Sequence, residues 1–91
     1  MLPDLNRIKV FYFIFSFKSV ALAARELNIT ASAVSQSLTK LEAELKVLLF
    51  TRLHKKLVPT SAGESLFHIV SPFIRNLEVG IEKILQAKQV P

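Results

Sequence analysis

The sequence predicts a mainly helical domain with one short two-stranded hairpin and a long C-terminal helix. Three observations lead to it. Apolar residues recur at three- and four-residue spacing over most of the chain, the rhythm of helices that bury one side. That rhythm gives way once, in VLLFTRLHKKLVPT at positions 47–60, where a basic middle is flanked by apolar residues. The apolar stripe after it runs on for about 25 residues, longer than one small core can cover. The 91 residues, 51% hydrophobic and 21% charged, fill a single core and exclude a disordered chain. With no cysteine, a disulfide scaffold and a thiolate zinc site are excluded, and the plainer inference is a reducing compartment, hence a cytoplasmic protein.

The first helix is expected from about Leu5 to Phe17. Leu5, Ile8, Phe11, Tyr12 and Phe15 share one face by spacing, while Val10, Phe13, Ile14 and Phe17 fall on the other sides. The eight-residue run VFYFIFSF is short for a signal core and far below the ~20 residues that span a bilayer, and Asp4 opposes a positive leader. No membrane segment is expected. A helix apolar nearly all round must be covered on more than one side, which implies a second chain.

Ser19 is placed to cap a short helix from Val20 to Leu27 that buries Ala23, Ala24 and Leu27. Asn28 tolerates the left-handed turn, and Thr30 caps the next helix, which runs to about Leu45. Val34, Leu38, Leu41 and Leu45 form its buried stripe, leaving Ala31, Ser32, Ser35, Gln36 and Thr39 outside. Small alanines, a tight turn and a second helix that projects its first turns outward make a helix-turn-helix, whose exposed helix fits a DNA major groove. The hairpin follows, with Leu53, Leu57 and Val58 in its strands, Pro59 closing it and a tip at His54 to Lys56.

Charge supports this placement. The chain carries +5 overall, and positions 46–63 alone hold Lys46, Arg52, Lys55 and Lys56 with no acid. A basic hairpin beside an exposed helix is placed to grip phosphates or enter the adjacent minor groove.

These residues resemble the N-terminal DNA-binding domain of LysR-type transcriptional regulators. The similarity lies in the Leu5, Ile8, Phe11 spacing, then SVALAARELNITASAVSQSLTKLEAELKVLLFTR, then LVPTSAGESL, in order and spacing, and covers nearly the whole chain. It implies a winged helix-turn-helix at 1–59, a linker helix for dimerisation at 60–91, and an effector-binding domain that lies outside this chain, so that a small-molecule effector acts only through that absent domain. By the same resemblance Thr30, Ser32, Ser35 and Gln36 fall where the family touches bases and nearby phosphates, Arg52 falls at the motif arginine, and Lys55 and Lys56 match basic wing positions. Thr39 and Lys40 complete the candidate contact set. The chain departs from the family pattern at Ala31 (commonly glutamine), Ser32 (proline), Gln36 (arginine), and Lys18 and Lys46 (glycine). Without a recognition-face arginine, the bidentate contact to guanine is missing, and Gln36, suited to adenine N6 and N7, predicts an AT-leaning site.

The last helix starts with Thr60 as cap, or with Ser61 and Glu64 as a capping box. Leu66, Ile69, Val70, Phe73, Leu77, Ile81, Ile84 and Leu85 form its broad stripe, and Pro72 predicts a bend near His68 to Pro72. The excess stripe predicts a symmetric homodimer, with higher oligomers in the full-length protein. Its expected contacts are Phe13, Phe17, Leu66, Val70, Phe73, Leu77, Ile81 and Ile84. His54 and His68 have no partner at metal or catalytic spacing, with His68 read as partly buried, and no phosphate loop or activated nucleophile is present. The expectation is binding of double-stranded DNA in transcription control, with no enzyme activity, cofactor, metal or membrane partner. The alternative reading is a helical oligomerisation module whose basic loop binds anionic lipid, motivated by the aromatic first helix and the net charge.

Overall fold

Side-chain oxygens set the helix starts. Asp4 Oδ1 accepts from the Asn6 N–H at 2.8 Å, Ser19 Oγ from Leu22 at 3.1 Å, Thr30 Oγ1 from Ala33 at 3.0 Å, and Thr60 Oγ1 from Gly63 at 3.0 Å. The computed structural model describes residues 2–89, in the order α1 (Leu5–Phe17), α2 (Val20–Leu27), α3 (Ala31–Leu45), β1 (Phe50–Leu53), β2 (Lys56–Pro59) and α4 (Ser61–Gln89). The choice between Thr60 and Ser61 thus falls on Thr60. The last two positions of the expected linker segment lie outside the described residues.

Left-handed residues end the first three helices: Lys18 at φ 53°, Asn28 at φ 58° and Lys46 at φ 57°. At Asn28 the turn is closed twice, since its N–H donates to Arg25 O at 3.2 Å and that of Ile29 to Ala24 O at 3.0 Å. That closure fixes the short turn between α2 and α3.

The core takes Ile8, Val10, Phe11 and Ile14 from α1, Ala23 and Ala24 from α2, Val34 and Leu41 from α3, Leu49 and Phe50 at the root of the hairpin, and Val70 from α4. Two expectations for α1 are corrected here. Val10 and Ile14 are buried although their spacing set them off the expected face, because α2, α3 and α4 all pack against the helix. Leu5, in the open first turn, is exposed.

Much of the covering assigned in the sequence to a second chain is supplied by α4 itself. The Phe67 ring stacks on Phe15 with centroids 3.9 Å apart and on Tyr12 at 5.6 Å, and Phe50 meets Phe11 at 5.6 Å. The packed unit therefore continues past position 59: Gly63, Val70 and Ser71 are buried, with Leu66 and Ile74 half-buried on the same core. Beyond Ile74, every residue of α4 up to Lys88 except Gly80 is exposed. Pro72 removes the donor to the His68 carbonyl but does not end the helix. His68 is exposed rather than partly buried.

Candidate nucleic-acid interface

α3 divides its surface by period. Val34 and Leu41 are buried, with Leu38 and Leu45 half-buried, whereas Thr30, Ser32, Ser35, Gln36, Thr39 and Lys40 are exposed. Not all of these polar groups are free. The Thr30 hydroxyl caps Ala33, and the Thr39 hydroxyl donates to the Ser35 carbonyl at 3.0 Å. Gln36 Nε2 lies 3.5 Å from Ser32 Oγ, a long contact that leaves its carbonyl oxygen and a second N–H unengaged.

The two acids of α3 are turned off this face. Glu42 Oε2 accepts from the Leu49 N–H at 2.7 Å and more weakly from that of Phe50 at 3.4 Å, tying the end of α3 to the root of the hairpin. Glu44 pairs with Arg7 of α1. Both carboxylates are half-buried and occupied, so α3 itself offers hydroxyls, an amide and an ammonium on its outward side, with Asp4 of the α1 cap beside Gln36 and Lys40. This positioning role of Glu42 was missed in the sequence, although the Leu-Glu pair at 41–42, eight residues before Leu-Phe at 49–50, could have suggested it.

β1 and β2 pair antiparallel with Arg52 opposite Leu57 and Leu53 opposite Lys56. The tip is His54 and Lys55 alone, one residue shorter than expected, because Lys56 already belongs to β2. Both tip residues have positive φ, 51° and 65°, the backbone of a mirror-image two-residue turn that asparagine and glycine adopt more easily. Arg52, Lys55 and Lys56 are all exposed. Together with Lys18, which the sequence reading left out, they line a groove between the hairpin and the α1–α2 junction that reaches Ala31 at the start of α3. Among the described residues no acidic one lines that groove.

Of the residues expected at a dimer contact, Val70 is only 6% exposed and is consumed by the chain's own core. Leu66 and Phe13 are half-buried against it, Phe13 with its ring stacked on Phe17 at 6.3 Å. Phe73 at 60%, Leu77 at 54%, Ile81 at 48% and Ile84 at 65% present apolar surface outward, continued by Ile69 and Leu85. No helix among the described residues is long and apolar enough to cross a membrane.

Residues 5–64 match the model of the bacterial regulatory helix-turn-helix protein, lysR family. Over 75 residues the chain is 43% identical to the uncharacterized HTH-type transcriptional regulator YbdO of Escherichia coli K12, covering 82% of this chain and 25% of that protein. It is 37% identical to the probable transcriptional regulator PA0477 of Pseudomonas aeruginosa, whose crystal structure superposes with a TM-score of 0.84 over 89% of this chain and 27% of that one. At 21% identity it shares the fold of the CbnR DNA-binding domain solved as a DNA complex, with a TM-score of 0.75 over 93% of this chain and 98% of that one. The chain spans about a quarter of the length of the curated relatives it matches. With its mainly helical winged helix-turn-helix, the chain belongs to the LysR family of bacterial transcriptional regulators, whose DNA-binding domain it carries.

Proposed function

We propose that this chain binds duplex DNA sequence-specifically as a homodimer in the cytoplasm, with α3 in the major groove and the hairpin on phosphates or in the adjacent minor groove. The observation that carries the reading is the exposed side of α3, with Ser32, Ser35, Gln36 and Lys40 outward and the helix's two glutamates turned away, flanked by the cationic groove of Arg52, Lys55 and Lys56. Phe73, Leu77, Ile81 and Ile84 form the contact between protomers, with Phe17 at its edge, so that two copies of α3 read two half-sites related by a two-fold axis. The boundary between reading unit and linker falls within α4, and a small-molecule effector acts through a further domain of the longer protein. A domain of this fold has been solved as a DNA complex, which supports duplex binding as the reading.

Gln36 is the base reader in this scheme. Its free carbonyl oxygen and N–H match adenine N6 and N7, and no arginine stands on the face to select guanine. Selection of binding sites from a random duplex library is expected to return AT-leaning half-sites. Gln36→Ala is expected to lose about 1–3 kcal/mol of discrimination at one position per half-site while keeping binding to unrelated duplex. An unchanged base preference in the selected pool contradicts the assignment.

A further inference from the structure

We propose that Lys18 is an additional phosphate contact of this interface, gripping, together with Arg52, Lys55 and Lys56, a DNA strand that runs through the groove between the hairpin and the α1–α2 junction. The proposal rests on the duplex-binding reading above and extends it to a residue outside both the reading helix and the hairpin.

Three observations converge on it. Lys18 lines the same groove as Arg52, Lys55 and Lys56, and no carboxylate faces them there. Lys18 thus adds a cation to a groove lined by basic residues, an arrangement that favours a polyanion laid along it. The Lys18 backbone is left-handed at φ 53° and ψ 34°, a conformation that a side chain makes unfavourable and that glycine adopts freely. A lysine at this position therefore has a backbone cost that glycine would not.

A local role accounts for only part of the side chain. Nζ donates to the Phe15 carbonyl at 2.7 Å and lies 3.8 Å from the centre of the Phe15 ring. An ammonium has three donors, so the contact to Phe15 O leaves two, while the Phe15 ring lies against the ammonium itself. The basic groove, and not the start of α2 beside it, is the feature that selects an anion.

The test is the salt dependence of duplex binding, read by fluorescence anisotropy on a selected duplex and a scrambled one. Lys18→Gln is expected to flatten the plot of log affinity against log salt by about 0.9 per protomer, and to weaken both duplexes alike by roughly fivefold or more at 0.1 M salt. Lys18→Gly gives the same loss with a melting temperature held or raised by about 5 °C, so the weaker binding cannot come from damaged folding. An unchanged slope in both variants overturns the role of Lys18. If Lys56→Gln flattens the slope in that case, duplex binding by the hairpin stands and only Lys18 falls. If the unmodified chain ignores duplexes at low salt, both readings fall together.

Discussion

Gly63→Ala is expected to cost about 3 kcal/mol of stability and to lower the melting temperature by roughly 15 °C. A Cβ at position 63 would stand 2.2 Å from the Leu49 carbonyl oxygen and 3.1 Å from its carbon, so the obstacle is backbone and not a side chain that can turn away. That carbonyl is itself held, accepting from the Thr60 N–H at 3.0 Å, while the Leu49 N–H is held by Glu42. The Thr60 hydroxyl adds a bond to Leu48 O at 2.7 Å and caps Gly63, so the start of α4 and the root of the hairpin form one hydrogen-bonded seam. Making room requires the seam to open or α4 to tilt off α1, where Phe67 and Val70 pack. Urea unfolding reads the loss directly. Ser61→Ala serves as the control and should change stability by less than about 0.5 kcal/mol, because Ser61 is exposed and the cap is Thr60.

The second large effect concerns association. Leu77→Glu combined with Ile81→Glu should leave the fold of the monomer intact, since both side chains are about half exposed in the single chain. On the proposed dimer, the pair removes four apolar side chains from the contact and sets charges in their place. At about 1.5–3 kcal/mol per buried side chain, the dissociation constant should rise by at least roughly 10⁴-fold. Analytical ultracentrifugation should then find a monomer where the unmodified chain is a dimer. Duplex affinity should fall by about 10²-fold or more, because two half-sites are no longer engaged together. Equal masses for variant and unmodified chain would remove α4 as the contact.

Much of this was legible in the sequence because local chemistry decides it. The caps at Ser19 and Thr30, the turn at Asn28 and the hairpin closed by Pro59 depend on neighbours a few residues away, and each stands where the residues place it. The outward side of α3 followed from the 3.6-residue period of Val34, Leu38, Leu41 and Leu45. What was not legible depends on long-range packing. An α1 that is apolar on every side carries no signal that says which side meets which neighbour, so Val10 and Ile14 were set off the core face and Leu5 on it. The same degeneracy hid Phe67, whose rings against Tyr12 and Phe15 let α4 cover α1 and draw Val70 into the core. Lys18, marked in the sequence only as a departure from glycine, was left out of the contact set because its place in the groove lined by Arg52 and Lys56 joins positions more than thirty residues apart through the fold.

One titration goes most directly to the central claim: affinity for a library-selected duplex measured from low to high salt. With Arg52, Lys55 and Lys56 from each of two protomers on phosphates, log affinity should fall against log salt with a slope of about −5, steepening toward −7 with Lys18 included. The selected duplex should be held at least 10³-fold more tightly than a scrambled one. A chain that binds no duplex at low salt, or attaches instead to vesicles rich in anionic lipid, would contradict the account.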